Sequence, residues 1–368
     1  MKKIAVIGGD GTGPEVVAEA TKVLKHLQGI HSFQLDLKPL PYNGTRYIEE
    51  GTLLTDAELD HLKTYDAILL GAIGHPDVKP GILERGILLK LRFGLDQYIN
   101  LRPVKLYENV ASPLKNKTPD DIDYVVVREN TGDVYTGMGG VMMKDTPHEV
   151  ATQTMIYTRH QVERCLKFAF EYTLKRHKNA PWKGLSEAEK AAGFVGKITL
   201  CGKSNVLTHV FDLWERTLAD LSKAYPTIKT DYVHVDAVCI YMIECPERFD
   251  TIVTTNMFGD IITDLAAVTQ GGMGVAPSGN INPEGVSMFE PIGGTAPAFT
   301  GKNEINPIAC ISAAQLMLAH LGFEAASVQL EGAIQRTVMQ MKSMAAAQMG
   351  FSTSEIGDLV CKELSGAQ

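Results

Sequence analysis

The chain has 368 residues, of which 45% are hydrophobic and 21% are charged, and its formal net charge at pH 7 is -8. This length exceeds one ordinary core, so we expect two domains or one large one. The acidic balance gives no basic footprint for nucleic acid or an anionic membrane surface, and no apolar run reaches the roughly 18 residues of a membrane span. A metabolic role is therefore favoured.

The first predicted strand begins almost at Met1, which leaves no room for a targeting peptide, so we expect a cytoplasmic protein. The cysteines are scattered, with no Cys-x-x-Cys pair and no zinc-like spacing from histidines. We therefore expect them to be reduced core residues. They are Cys165, Cys201, Cys239, Cys245, Cys310 and Cys361.

The chain opens with "KKIAVIGGDGTGPEVV", which predicts a buried strand over residues 4–7, a tight turn over 8–13 and an amphipathic helix over 16–27. This order is similar to the phosphate-binding turn of a Rossmann unit. The spacing, however, is G-x-G-x-G followed by Pro14, and Glu15 at the helix start would repel a phosphate. Two interpretations remain here: a Rossmann fingerprint, or a glycine turn that lets a ligand approach the backbone closely.

Apolar β-rich runs then alternate with helical stretches, as in "YDAILLGAIG", "IDYVVVREN", "KITLCGKSN" and "FDTIVTTNMFGD". Strands that are apolar throughout and separated by helices predict a largely parallel sheet covered on both faces. Residues 138–154 are too rich in glycine and charge for a core element, and form either an arm packed on another subunit or a solvated loop. The polar stretch "KNAPWKGLSEAEKAAG" is predicted to be a surface insertion.

Two acids in "NMFGDIITDLAAV" stand four residues apart on a predicted helix. At about 100° per residue, Asp260 and Asp264 share one helix face. Asp260 alone is explained as a helix cap. Two carboxylates on one face repel each other unless an arginine or a cation neutralises them, and such oxygen ligands suit Mg²⁺ or Mn²⁺. Asp236, at the end of the predicted strand "YVHVD", is a third candidate ligand.

Three arginines lie in apolar surroundings: Arg92 in "LLKLRFGLD", Arg102 in "INLRPV" and Arg128 at the end of "DYVVVREN". Any one of them is explained by snorkelling or by a surface ion pair. Arg128, however, follows a buried strand at the edge where open α/β sheets bind ligands, and arginine binds carboxylates through two hydrogen bonds. Lys203 in "GKSNVL" and Tyr135 in "ENTGDVYTG" also lie in predicted strand-end loops, where catalytic groups concentrate, although a surface lysine and a packing tyrosine are the commoner cases.

Taken together, "GGDGTGPEV", "LRFGLDQYINLRP", "VVRENTGDVYTG", "GKSNVL", "HVDA", "NMFGDIITDLAA", "GGMGVAPSGNI" and "FEPIGGTAP" resemble the motifs of the metal-dependent β-decarboxylating dehydrogenases, in order and in spacing. This is the isocitrate/isopropylmalate dehydrogenase family. The likeness spans nearly the whole chain. It implies that the glycine turn is not a Rossmann fingerprint, because the family binds its cofactor in a different pocket.

The resemblance implies an α/β fold with two domains and a parallel or mixed sheet covered by helices. It implies a larger cofactor-binding domain formed by residues 1–98 plus 271–368. Residues 99–270 would form a smaller domain for substrate, metal and dimerisation, with an arm at about 138–154. A homodimer with shared active sites is the least assembly expected.

The site residues also come from the resemblance. Mg²⁺ or Mn²⁺ would be held by Asp260, Asp264 and a partner chain's Asp236, which also contacts the substrate. A partner chain's Lys203 would take the hydroxyl proton or belong to its relay, and Tyr135 would protonate the enolate carbon. The substrate carboxylates would be held by Arg92, Arg102 and Arg128.

The cofactor is expected to be NAD, with NADP as the alternative. The family usually has a histidine where this chain has Gly293, and its NAD-dependent members have an aspartate where this chain has Ala298. No lysine or arginine stands at Ala298 to attract a 2'-phosphate either. The residues implied in cofactor binding are Thr12, Asn205, Glu290, Gly293, Gly294, Thr295, Ala296, Pro297, Ala298 and Asn306.

The substrate prediction depends on what faces the third substituent of a malate. Leu88, Leu89 and Val206 would offer an apolar pocket, which favours 3-isopropylmalate and its conversion to the leucine precursor 4-methyl-2-oxopentanoate. Packing of Leu88 and Leu89 on their own domain is the simpler alternative. Arg85 leaves homoisocitrate open, and D-malate, tartrate and isocitrate are further alternatives. A non-catalytic regulatory subunit is disfavoured, because the lysine, tyrosine and aspartates are all present.

Overall fold

A computed structural model describes residues 1–366. Its strands are β1 (Lys2–Gly9), β2 (Leu35–Pro39), β3 (Ala67–Ala72), β4 (Ile99–Lys105), β5 (Asp123–Glu129), β6 (Gly139–Met142), β7 (Val150–Gln153), β8 (Gly196–Gly202), β9 (Ile228–His234), β10 (Thr251–Thr254), β11 (Pro277–Ile281) and β12 (Ser287–Pro291). Its α-helices are α1 (Gly13–Ile30), α2 (Gly44–Glu50), α3 (Asp56–Leu62), α4 (Lys90–Gly94), α5 (Arg159–Arg176), α6 (Glu187–Ala191), α7 (Thr208–Ser222), α8 (Val235–Glu244), α9 (Asn256–Thr269), α10 (Ile308–His320), α11 (Glu324–Val338) and α12 (Thr353–Ser365).

The chain folds into two compact units. The first contains Met1–Gln97, Arg102–Pro119 and Ala267–Gln368, and the second contains Tyr98–Leu101 and Asp120–Ala266. Residues 102–119 and 267–270 therefore belong to the first unit, whereas the predicted smaller domain, 99–270, includes them. The roles expected for the two domains stay predictions.

The first unit has the strand order β2-β1-β3-β12-β11. The β1–β2, β1–β3 and β3–β12 pairs are parallel, and β11 is antiparallel to β12. The predicted first strand, turn and helix are present, with Ile4, Ala5 and Ile7 fully buried. A Rossmann unit places its second strand between the first and third, whereas here β1 lies between β2 and β3. The Rossmann interpretation of the opening motif is therefore wrong.

The second unit has the strand order β5-β10-β8-β9, and these pairs are all parallel. Val125, Val126 and Val127 of β5 are fully buried, as the apolar run predicts for a strand covered on both faces. Helix α5 packs on this sheet and against α7. The predicted parallel α/β arrangement is confirmed.

Two segments of the second unit extend from its core. Strands β6 and β7 form an antiparallel hairpin whose residues are all exposed, at the position of the predicted arm. The predicted surface insertion is only partly superficial, because Trp182 and Leu185 are buried. The Trp182 ring lies against Lys197 of β8, with Nζ 5.2 Å from the ring centroid, and the polar residues around Trp182 hide that contact in the sequence.

The cysteines are free thiols. Cys165, Cys201 and Cys310 are buried, as expected of core residues, whereas the other three are half-buried. Burial raises the pKa of the Cys201 thiol to about 12. Among the helices of residues 1–366, none is both long enough and apolar enough to cross a membrane.

The glycine turn makes a close backbone contact, and a substitution at that contact tests whether the turn contributes to stability. Gly11 has φ +58°, and a Cβ there would lie 2.2 Å from the carbonyl oxygen of Thr295. We expect Gly11→Ala to lower the free energy of unfolding by more than about 1 kcal/mol. Gly29, in α1, has no atom within 4 Å of an added Cβ. Gly29→Ala is the matched control and should stabilise by about 0.5–1 kcal/mol. Urea denaturation measures both, and equal effects would contradict the contact.

Candidate active site

A buried arginine occupies the carboxyl end of β5. The Arg128 side chain is 1% exposed, and its Nη1 donates to Asp260 Oδ1 at 2.6 Å. Its Nε and Nη2 both donate to Asn256 Oδ1, at 3.0 and 2.8 Å. A buried charge is stable only when it is paired and hydrogen-bonded, and these two acceptors meet that requirement.

The position of α9 depends on neighbours of Arg128. The Asn256 N–H donates to the Tyr157 hydroxyl at 2.8 Å, and the Met257 N–H donates to Asp133 Oδ2 at 3.0 Å. The Tyr157 hydroxyl itself donates to Asp133 Oδ2 at 3.2 Å. The first N–H groups of a helix lack partners within it, and here side chains from another segment supply them. Burial raises the pKa of Tyr157 well above its usual range, so its hydroxyl stays protonated.

Sequence reasoning does not single out Asn256, Tyr157 and Asp133. An asparagine at the start of a predicted helix is a usable signal, because asparagine is a common helix cap. Its actual acceptor role toward Arg128 depends on a neighbour 128 positions away. Asp133 has φ +71°, a conformation that an aspartate in a glycine-rich turn can adopt.

Two predicted site residues, Tyr135 and Asp260, contact this arginine, and a third, Asp264, follows on the same helix. The Tyr135 hydroxyl donates to Asp260 Oδ2 at 2.9 Å, and its ring centroid is 5.6 Å from Arg128 Cζ. Asp264 follows Asp260 by four residues on α9 and is exposed. The expected common face of the two acids therefore exists on a regular helix, and Arg128 neutralises one of them.

Lys203 and Asp236 form a second cluster. Lys203 follows β8 and its Nζ donates to Asp236 Oδ2 at 2.8 Å. This hydrogen bond and charge hold the pKa of Asp236 below its usual range. Val206 lies in the same turn, because its N–H donates to the Lys203 carbonyl at 3.1 Å, and its side chain is 66% exposed.

The three predicted metal ligands are not assembled within one chain. Among residues 1–366, no group of three or more histidine, cysteine, aspartate or glutamate side chains is placed to hold a metal ion. The pair Asp260 and Asp264 nevertheless fits a hard divalent cation, because both are carboxylates on one helix face beside solvent. Asp236 of a partner chain stays the predicted third ligand.

The first unit contains a cavity of about 410 Å³ whose lining side chains are uncharged. It is bordered by α1, β3, α10 and the glycine-rich segments 271–274 and 293–296. Ala296 has φ +40°, a strained conformation for a residue with a Cβ. Of the residues predicted to bind the cofactor, those that line the cavity are Thr12, Gly293, Gly294, Ala296 and Asn306.

The other predicted cofactor residues have different surroundings. Thr295 and Pro297 line a smaller cavity of about 260 Å³. Ala298 is exposed, and Glu290 accepts a hydrogen bond from the Asn280 side chain at 2.7 Å. Asn205 belongs to the second unit.

Residues of the opening motif form hydrogen bonds with the loop that follows β12. The Thr12 N–H donates to the Thr295 carbonyl at 2.9 Å. The Glu15 carboxylate accepts from the N–H groups of Gly301 and Asn303, at 2.7 and 3.0 Å. The acid that makes the motif unlike a Rossmann turn thus holds the loop that borders the cavity.

The remaining predicted substrate residues lie in the first unit. Arg92 Nη2 is 3.6 Å from Glu290 Oε1, and its Nε is buried without a hydrogen-bond partner among the described residues. Arg102 on β4 is buried. Leu88 is half-buried and packs against the core of its own unit, as the simpler alternative expects, and its predicted contact with the substrate stays a prediction. Leu89 is half-buried at the end of a π-helix, Glu84–Leu89, a type of element that is frequent at functional sites.

The sequence profile described as isocitrate/isopropylmalate dehydrogenase matches residues 3–360. The chain belongs to this family. The family includes a 3-isopropylmalate dehydrogenase of Corynebacterium efficiens, which is 48% identical over 97% of this chain and 98% of the relative. A protein of the same name from Thermobifida fusca is 44% identical over 99% and 98% of the two chains.

Solved structures agree with the family's fold. The isocitrate dehydrogenase of Methylococcus capsulatus superposes with a TM-score of 0.84 at 29% identity, over 99% of both chains. The TT0538 protein of Thermus thermophilus gives 0.81 at 30% identity, over 98% of this chain and 68% of that one. The predicted fold class is confirmed, and the chain is a β-decarboxylating dehydrogenase of the isocitrate/isopropylmalate dehydrogenase family.

The hydrogen bonds at the start of α9 generate a second prediction. Tyr157→Phe removes the hydroxyl that joins the Asn256 N–H to Asp133, so two buried polar groups lose a partner. We expect the free energy of unfolding to fall by about 1–3 kcal/mol. In Tyr225→Phe, the lost hydroxyl is exposed and 3.5 Å from Glu171, so the loss should stay below about 0.5 kcal/mol. Equal losses in urea denaturation would contradict this role of Tyr157.

Proposed function

We propose that the protein oxidises and decarboxylates 3-isopropylmalate to 4-methyl-2-oxopentanoate, with reduction of NAD, in leucine biosynthesis. The names of its curated relatives support this substrate, at 44% to 48% identity over nearly the full length. The solved isocitrate dehydrogenase is more distant, at 29% identity.

The turn that contains Lys203 is proposed to determine which substrate is preferred. Val206 exposes an apolar side chain in that turn, where a substrate held near Lys203 would contact it. Burying an isopropyl group against apolar side chains is worth about 1.5–3 kcal/mol, whereas stranding a carboxylate there costs more. Leu88 and Leu89 stay in the proposed substrate-binding set by resemblance.

The chemistry requires oxidation before carbon dioxide is lost. Once the 2-hydroxyl group becomes a ketone, its carbonyl accepts the electrons of the breaking carbon–carbon bond. Arg128, fixed by Asn256 and Asp260, would hold a substrate carboxylate, as would Arg92 through its unpaired Nε. Arg102 completes the proposed set.

Two side chains would move protons. Lys203 of a partner subunit, as the neutral amine, would take the hydroxyl proton, or pass it on, as hydride leaves C2 for the nicotinamide. The hydrogen bond between Lys203 Nζ and Asp236 holds the lysine side chain in position. Tyr135 would then protonate the enolate carbon. The Tyr135 hydroxyl lies against Asp260, next to the acids proposed for the metal.

Asp260, Asp264 and a partner chain's Asp236 would hold Mg²⁺ or Mn²⁺. When bound, such a cation polarises the developing carbonyl and stabilises the enolate. Asp260 is engaged by Arg128 and Tyr135 through separate oxygens, so its position is fixed before any cation binds. Asp264 supplies the neighbouring carboxylate from the same helix face.

NAD is the cofactor that the uncharged cavity favours. A 2'-phosphate would find no lysine or arginine among the residues lining it, and Ala298 offers none. The residues proposed to contact NAD there are Thr12, Gly293, Gly294, Ala296 and Asn306. Asn205, Glu290, Thr295, Pro297 and Ala298 stay in the proposed set by resemblance.

A second copy of the chain is the proposed partner. Three isoleucines are 50% to 57% exposed: Ile240 and Ile243 on α8 and Ile261 on α9. Ile261 precedes Asp264 by three residues, so the two side chains are neighbours on one helix face. A two-stranded hairpin is marginally stable alone, so β6 and β7, with exposed Val141 and Met142, fit an arm on a second subunit. Cytoplasmic location stays a prediction.

Substrate preference tests the proposal directly. We expect kcat/KM for 3-isopropylmalate to exceed that for D-malate by about 10–200-fold, because D-malate lacks the isopropyl group and its apolar contacts. Isocitrate and homoisocitrate should be poorer by about 100-fold or more, because their extra carboxylate lacks a partner. One preparation measured with NAD and Mn²⁺ gives the comparison. Equal or better turnover of either tricarboxylate would overturn the assignment.

Metal dependence is tested at Asp264. We expect Asp264→Asn to lower kcat/KM by about 10³-fold or more, since a lost divalent cation removes several kcal/mol of transition-state stabilisation. Asp212→Asn, at an exposed acid paired with Arg216, should retain activity. A chelator should abolish the unmodified enzyme's activity and Mn²⁺ should restore it. Full activity in chelator would refute the metal requirement.

A further inference from the structure

A second cavity, of about 250 Å³, lies in the second unit. We call it the basic pocket. It is lined by Trp182, Glu189, Lys197, Lys229 and Arg248, among others. Lys197 and Lys229 are the second residues of β8 and β9, whereas Lys203 follows the other end of β8. The basic pocket therefore lies at the amino ends of the strands, away from Arg128 and Lys203.

The strand register brings two of its cations together. Lys197 and Lys229 are directly paired across the parallel β8–β9 ladder, so their side chains project from the same face of the sheet. Like charges at paired positions repel each other. Arg248, in the short helical turn Pro246–Arg248, adds a third cation. A cluster of this kind needs negative charge.

The neighbouring carboxylates supply only part of that charge. Glu189 forms a close ion pair with Lys229, which lowers the pKa of Glu189 to about 2. Asp231 Oδ2 is shared at longer range, 3.5 Å from Lys197 Nζ and 3.8 Å from Arg248 Nη2. The three cations therefore have only two carboxylate partners, Glu189 and Asp231. Asp231 is shared by Lys197 and Arg248 at distances longer than an ordinary hydrogen bond.

Two buried donors have incomplete partners. Arg248 Nε is buried and makes no hydrogen bond with any described residue. The Lys197 side chain is 10% exposed, and its ammonium group lies 5.2 Å from the centroid of the Trp182 ring. Burial lowers the pKa of Lys197, and Asp231, at 3.5 Å, offsets only part of that effect. Asp231 Oδ1 is also buried without a hydrogen-bond partner among the described residues, so the side chains of this cluster do not satisfy one another. Buried polar groups without partners are costly, and an acceptor from outside the chain would remove the cost at Arg248.

We propose that the basic pocket binds a phosphate group, either as inorganic phosphate or on a small phosphomonoester, between Lys197, Lys229 and Arg248. A guanidinium group and two ammonium groups match the several oxygens and the charge of phosphate. The cavity volume admits a phosphate with a short organic substituent, and the Trp182 ring forms an apolar wall for that substituent. This proposal is independent of the substrate assigned to the family site.

The two tryptophans of the chain allow a direct test. Trp214 is fully buried on α7, so Trp214→Phe leaves Trp182 as the sole reporter. The full-length Trp214→Phe protein, saturated with NAD, is titrated with inorganic phosphate at ionic strength held constant by chloride. We expect a saturable change in Trp182 fluorescence. A second titration with glycerol 3-phosphate identifies the source: tighter binding of the ester favours a metabolite, and equal affinity favours free phosphate.

Variants in the Trp214→Phe background test the cations separately. Arg248→Gln and Lys229→Gln should each raise the phosphate Kd at least about tenfold, because each removes one charged donor. Lys190→Gln, at a half-buried lysine that is paired with Glu187 on α6 and does not line the pocket, is the matched control and should leave the Kd within about twofold. Lys229 is 43% exposed, so that variant decides the question if Arg248→Gln fails to fold. A non-saturable change, or equal effects in control and pocket variants, would overturn the proposal.

Discussion

The burial of one guanidinium group sets the geometry of the second unit. Arg128 lies at the end of a strand covered on both faces, where an unpaired charge would cost several kcal/mol. Asn256 and Asp260 from α9 meet that requirement, so the helix must start where their side chains reach the strand end. Tyr157 and Asp133 hold the first N–H groups of the same helix. The placement of Asp264 follows from these bonds.

The carboxylates proposed to bind the metal already have partners within their own chain. Asp260 already serves Arg128 and Tyr135, and Asp236 already serves Lys203. Each carboxylate is fixed by a local partner, and residues 1–366 contain no three-membered metal-ligand group within the chain. The exposed isoleucines on α8 and α9 lie on the elements that carry Asp236 and Asp264. A second copy that buries these apolar residues would bring the two clusters to one substrate.

Local sequence patterns account for most of the fold, and long-range contacts account for what they miss. Continuous apolar runs such as "YVVV" predict buried parallel strands, and strand ends locate Arg128 and Lys203. The partners of Glu15 lie 286 and 288 positions away, so the sequence reveals its charge but not its role in fastening a loop. The spacing of Leu88 from Arg92 likewise does not reveal that Leu88 packs against the core of its own unit. Trp182 is buried inside a polar stretch for the same reason: burial depends on the sheet it covers.

In the proposed dimer each active site combines Lys203 of one subunit with Asp264 of the other, and the activity of hybrid dimers tests this sharing. Lys203→Met and Asp264→Asn chains, each inactive alone, are co-expressed in equal amounts. Random pairing makes half of the dimers hybrids. If Lys203 acts on the partner's substrate, each hybrid has one site with both native residues and one site with neither. Activity should therefore recover to about a quarter of the unmodified enzyme's value. Activity that remains at the level of the two parents would show that Lys203 and Asp264 serve the same chain's site and would contradict the account.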